Sequence, residues 1–249
     1  MKTINVLGLI VFFALATGVK FGYRHGELDF YDRMEWPFLK KFAVAVLFLG
    51  GSVAVAALVS WVIFGSQNRS SSLLGTRPLL AVLMAIVPVI VVAVLGYEND
   101  FGMNQHLAGT AMAGLLVLYA LGEEISWRGF MNDALSPAPY LVRVLLTGAA
   151  WWAWHLWILD EGATIQGQIQ ALAILTGTSF LFISIIGVSR LWLSVAAFHS
   201  VANIGILAGA FDVTTNKRLW MGGIALAILT AIHSCWQHGV KEVADLPKK

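Results

Sequence analysis

An all-α, polytopic membrane helical bundle of about eight transmembrane helices is the fold class this 249-residue sequence predicts, and three observations carry it. Hydrophobic residues make up 58% and charged residues only 12%, whereas soluble domains carry about 25% charged residues. Mean hydropathy is +0.77. Apolar runs near the roughly 20 residues that a helix needs to cross a bilayer recur along the whole chain. They lack the alternating pattern of a membrane β-barrel, and helices then satisfy every backbone group in lipid.

The runs fall at 3–19, 42–64, 79–96, 107–135, 140–158, 168–187, 191–209 and 219–236. The first follows Lys2 and ends near Ala14-Leu15-Ala16, a pattern shared with secretory signals; the many spans behind it favour a first transmembrane helix. Residues 20–41 interleave Lys20, Arg24, Arg33, Lys40 and Lys41 with Phe21, Tyr23, Phe30, Tyr31, Trp36 and Phe38, which predicts a segment lying along the membrane interface. The second run ends at a polar loop, 65–77, containing Gln67-Asn68-Arg69-Ser70-Ser71-Ser72. The third holds Pro88, a kink that neighbouring helices can accommodate.

The fourth run reaches Gly122, where a helix could stop, but Ser136-Pro137-Ala138-Pro139 is the firmer stop signal. The helix is therefore expected to continue past Glu123 and Glu124, with the next starting near Tyr140. Small residues, Gly109 and Gly114 in the fourth run and Ala196 and Ala197 in the seventh, are expected to permit close helix approach. No internal repeat is apparent, and a single membrane domain, 1–249, accounts for the chain.

Several classes are excluded. A net charge of +2 with scattered basic residues does not suit nucleic acid. The single cysteine, Cys235, allows neither an intrachain disulfide nor a cysteine metal site. Lys and Arg divide evenly between the two sides of an eight-span topology, so the positive-inside rule sets no orientation.

Against this apolar background, Glu123, Glu124, Arg128, His155, His199 and Asn203 all fall inside predicted spans. Each buried charge costs about 2.5–3.5 kcal/mol even on the lenient insertion scale, so such groups normally serve a water-filled site or a pathway. A polar clamp between helices would need one pair rather than six groups from three spans. Taking the turn as centred at 138, Glu123 lies fifteen residues before it and His155 seventeen after it. At 1.5 Å per residue both sit about 22–26 Å from the turn, at matching depth in an antiparallel hairpin. His199 and Asn203 share a helix face at i, i+4, and Glu124 and Arg128 have the favoured acid-first order for an ion pair. That pairing leaves Glu123 as the unpartnered carboxylate.

Glu123-Glu124-x-x-x-Arg128, then Trp151-x-x-x-His155, then His199-x-x-x-Asn203, in series on separate spans, resembles the CPBP family of intramembrane proteases. That family includes the CAAX prenyl endopeptidases and prokaryotic relatives tied to peptide processing or bacteriocin self-protection. The resemblance covers about 107–209, which would be the catalytic core; Trp151 departs from the family's usual Phe. It implies a glutamate-type intramembrane endopeptidase acting on membrane-associated or lipid-tethered polypeptides, CAAX-type or other C-terminal sorting or precursor peptides, in a prokaryotic cell membrane.

By the same resemblance Glu123 would be the general base and His155 would orient the water. His199 and Asn203 would stabilise the oxyanion, and Glu124 and Arg128 would hold the helix and its charge balance. No cofactor is expected. The alternative is a zinc site of Glu123, His155 and His199, against which stand the missing His-Glu-x-x-His motif and the hydrogen-bonding character of Asn203. Trp151, Trp154 and Trp157 follow an i, i+3 spacing beside His155 and would wall a substrate groove, although packing and interface anchoring account for most membrane tryptophans. His25, His106, His233 and His238 read as interfacial or packing residues, and Asp160 and Glu161 as a solvated cap. Two other classes remain. A transporter or proton relay predicts charges spread over several depths, often in repeated halves. A non-catalytic immunity or partner protein predicts loss of at least one of the six groups.

Overall fold

The computed structural model describes residues 4–24, 44–65, 71–75, 77–99, 102–156, 164–207 and 215–244. Among them are eight helical rods. They are α1 (Val6–Arg24), α2 (Val44–Gly51 as π-helix, then Ser52–Phe64), α3 (Pro78–Leu95), α4 (Gln105–Ala134), α5 (Tyr140–His155), α6 (Ile165–Ser189), α7 (Trp192–Leu207) and α8 (Thr215–Ala244). Each overlaps one predicted run. By length and composition α3, α4, α6 and α8 can each cross a membrane, while α1, α2 and α7 hold shorter apolar stretches. The 16-residue α5 and α7 span about 24 Å, short of a hydrocarbon core of about 30 Å.

Local chemistry explains the ends. The Asn104 carboxamide accepts from His106 N–H at 3.0 Å and Leu107 N–H at 3.3 Å, capping α4. Thr164 Oγ1 accepts from Gly167 N–H at 3.1 Å to cap α6. Pro78 opens α3, where its missing N–H costs nothing. At the ends of α2 and α3 the chain turns through Gly65 and Gly96, with φ of 68° and 72°, a region that only glycine enters freely. The predicted stop at Ser136-Pro137-Ala138-Pro139 separates α4 from α5.

The helices run up and down. Asn5 N–H donates to Ala134 O at 3.5 Å and Trp192 N–H to Ser72 O at 3.0 Å, and Arg77 lies 6.0 Å from the Trp236 ring. These contacts gather the starts of α1, α3 and α7 and the ends of α4 and α8 at one end of the bundle. The Lys217–Glu98 ion pair at 3.3 Å joins the start of α8 to the end of α3 at the other. α4 is the central helix, packed by α2, α3 and α7; 61% of its apolar window is buried, against 17–28% in the other three long spans. Outward-facing Val62 at 85% and Ile165 at 81% exposed belong to the apolar surface a bilayer would cover.

Close approach of α4 to α2 depends on Gly122, whose missing Cβ leaves room for the backbone carbonyl of Gly50. Gly109 makes a similar contact, where a Cβ would stand 2.7 Å from Val92 O, but Gly114 has open space beside it and is no contact residue. Ala196 and Ala197 are fully buried in α7. The expected interfacial segment 20–41 starts too early: α1 runs to Arg24, and Lys20 is buried in the bundle. The rest of that segment, His25, Asp160, Glu161, Trp157 and the His238 side chain lie outside the described residues, as does most of the polar loop, 66–70. His106 Nδ1 meets Ala93 O at 2.8 Å, and His233 packs on Phe198, 6.1 Å between ring centroids.

Candidate active site

Glu123 and Glu124 are both fully buried on α4, immediately before its π-helical stretch Ile125–Met131. Successive residues on a helix point about 100° apart, so the two carboxylates enter different surroundings. Glu124 Oε1 accepts from Arg128 Nη1 at 3.1 Å and meets His199 Nδ1 at 2.7 Å. Arg128 Nη2 donates to Ser179 Oγ at 3.3 Å, and the guanidinium lies 4.1 Å from the Trp151 ring centroid and 4.8 Å from that of Phe182. The predicted Glu124–Arg128 pair is present, and α6 and α7 join it.

Glu123 is not the unpartnered carboxylate expected. Trp151 Nε1 donates to its Oε2 at 2.6 Å, and the Tyr119 hydroxyl, one turn earlier on the same face, also reaches it. Oε1 is buried and has no hydrogen-bond partner among the described residues. Counting fifteen residues past position 138 leads to 153, midway between Trp151 and His155; depth alone therefore could not choose the partner. The indole N–H decided it, because a buried carboxylate takes the nearest donor.

His155, at the end of α5, has Nδ1 2.7 Å from Trp151 O. A carbonyl only accepts, so Nδ1 carries the proton and Nε2 of the neutral ring offers a lone pair. Trp151 is the hub of the cluster: its ring lies 5.6 Å from His155 and 5.3 Å from His199, centroid to centroid. His199 is 4% exposed, its ring edge-on to Tyr119 at 6.4 Å and tilted against Phe182 at 5.5 Å. Asn203, one turn further on α7, has its Nδ2 buried with no partner among the described residues. Trp151 and Trp154, expected as groove walls, are 3% and 0% exposed, their N–H groups bonded to Glu123 and to Ala16 O.

Tyr119, Ser179 and Lys20 were missed. Tyr119 had a signal, its i, i+4 spacing before Glu123. Nothing in the local pattern marks Ser179, whose role comes from how α6 is rotated against α4.

The donors proposed for zinc are not assembled here. Among the described residues, no group of three or more His, Cys, Asp or Glu side chains could hold a metal ion. His155 Nδ1 is engaged by Trp151 O and His199 Nδ1 by Glu124 Oε1.

Trp151→Phe keeps the ring but deletes the donor to Glu123. A hydrogen bond to a charged group contributes about 1.5–3 kcal/mol, so kcat for hydrolysis is expected to fall about tenfold or more while KM changes little. Steady-state kinetics on the purified variant would check this; an unchanged kcat would show that Oε2 needs no anchor.

Residues 105–205 match the model of the Rce1-like family, described as Type II CAAX prenyl endopeptidase Rce1-like. The matched segment takes in the three motifs and all six residues of the cluster. No curated protein matches the chain, and no solved structure does.

Proposed function

Because residues 105–205 carry an Rce1-like core, we propose that the protein hydrolyses a peptide bond of a lipid-tethered or otherwise membrane-associated polypeptide with a glutamate-activated water and no metal. The observation that carries this reading is the asymmetry of Glu123. One carboxylate oxygen is held by Trp151 while the other is buried and unpaired. A fixed carboxylate with one open oxygen suits a water whose proton it can take.

In this mechanism Glu123 Oε1 accepts a proton from the water as the water oxygen attacks the scissile carbonyl carbon. The Nε2 lone pair of His155 orients the same water. The carbonyl oxygen becomes an oxyanion, faced by the Asn203 amide and the Nε2 side of the His199 ring. Glu124 fixes the orientation of that ring through its contact with Nδ1. The C–N bond then breaks, and the proton held by Glu123 passes to the leaving amine. Arg128 and Ser179 keep Glu124 in place. The convergence of the charges on three neighbouring helices, without repeated halves, favours hydrolysis over a transport pathway, and retention of all six groups favours an enzyme over a non-catalytic partner.

The test is cleavage by the purified protein of a prenylated CAAX-type peptide and of a non-prenylated membrane precursor, each with and without a zinc chelator. Cleavage that ignores the chelator is expected. Loss of activity that zinc restores would replace the glutamate mechanism with the metal one, and no cleavage of either substrate class would count against the protease reading.

A further inference from the structure

Lys20 is a cation buried where a membrane helix should carry none. It is 1% exposed, near the end of α1, and its Nζ has no hydrogen-bond partner among the described residues. A lysine near a helix end ordinarily snorkels to the interface. Here the ammonium instead lies 2.8 Å from the centroid of the Trp154 ring.

The geometry of that contact is built. Trp154 Nε1 donates to Ala16 O at 3.2 Å, one turn before Lys20 on α1, which fixes the indole with its face toward the lysine. The other surroundings of Trp154 are site residues: Trp127, one turn after Glu123, at 5.7 Å and His155 at 5.0 Å between ring centroids. Glu123 lies within electrostatic range of His199 and His155 and, more weakly, of Lys20 Nζ. Charge accounting points the same way. The buried acids of the cluster are Glu123 and Glu124, and Arg128 and His199 both contact Glu124. Glu123 receives only neutral donors, Trp151 and Tyr119. A carboxylate buried without a cation is strongly destabilised in a low-dielectric interior; of the lysine and arginine side chains described near Glu123, Arg128 is paired with Glu124, and Lys20 is held by no acid.

We propose that Lys20 is the counter-charge of Glu123: a positioning residue, supplied by α1 from outside the segment matched to the family, that keeps the base ionised inside the membrane. Its part in catalysis rests on Glu123 acting as the base, but the electrostatic coupling does not, and the two can be tested separately. Because Nζ contacts a ring face rather than an acceptor, it compensates the charge without competing with water for Glu123 Oε1.

The experiment is a double-mutant cycle of Lys20→Met and Glu123→Gln on the full chain in detergent, read by thermal unfolding. Lys20→Met is expected to lower Tm by about 4 °C or more in the otherwise unaltered protein, and to leave it unchanged or raise it in the Glu123→Gln background, where the lysine is itself uncompensated. Equal shifts in both backgrounds would overturn the proposal. In the cleavage assay Lys20→Met should reduce kcat at least tenfold with KM within about twofold, and Lys20→Arg, which keeps the charge, should recover activity. A raised KM with unchanged kcat would also overturn it, assigning Lys20 to binding a substrate carboxylate. Loss of coupling would sink this proposal alone; absence of any cleavage by the unaltered protein would instead sink the protease reading.

Discussion

Glu123→Gln is expected to abolish hydrolysis while leaving the protein folded. Glutamine has nearly the shape of glutamate, and its amide oxygen can still accept from Trp151 Nε1, which binds Oε2 at 2.6 Å. The remaining amide nitrogen, placed where Oε1 now lacks a partner, cannot take a proton from water. General-base catalysis contributes about 10²–10⁴-fold, so kcat should fall by at least that range. Substrate binding should survive, since the carboxylate acts on the water rather than on the peptide. Single-turnover cleavage and substrate binding measured on the same preparation separate these effects. Cleavage retained at more than about a tenth of the original rate would remove Glu123 from the role of base and turn attention to His155.

Much of this site was legible because it depends on spacing along one chain. Ser136-Pro137-Ala138-Pro139 ended α4 and set the α4–α5 hairpin, and the i, i+4 rule paired Glu124 with Arg128 at 3.1 Å. The family resemblance ordered the three motifs, and the match over 105–205 spans all of them. What was hidden depends on rotation and contact between helices. Whether Trp151 or His155 meets Glu123 is a matter of about one turn of α5, beyond any depth estimate. Burial of Lys20 required knowing that Trp154 faces α1, and a basic residue at the head of a polar, aromatic stretch reads as interfacial. The π-helical stretch after Glu124 has no composition of its own that would announce it, although such widened turns recur at functional sites. The Gly50–Gly122 contact was equally silent, because a glycine in a helix reveals which helix it touches only after packing.

Arg128→Met is expected to be the most destabilising single change in the bundle, and a second substitution should relieve it. Arg128 is fully buried, pairs with Glu124, donates to Ser179 and stacks on Trp151 and Phe182. Removing one member of a buried ion pair typically costs about 3–5 kcal/mol, because the charge left behind has lost its compensation. Methionine fills much of the space, so the loss reports charge more than cavity. In a protein of this length that cost corresponds to a fall in Tm of about 6–20 °C. Adding Glu124→Gln removes the stranded carboxylate and should restore a large part of the stability, since a buried pair exchanged for neutral groups is often close to neutral. His199 would then have lost its orienting acid, so the double variant should be more stable than Arg128→Met yet no more active. Thermal unfolding and kcat measured across the four proteins test both halves of the argument. If the double variant is as unstable as the sum of its parts, packing of the guanidinium against Trp151 and Phe182, rather than charge balance, holds these helices together.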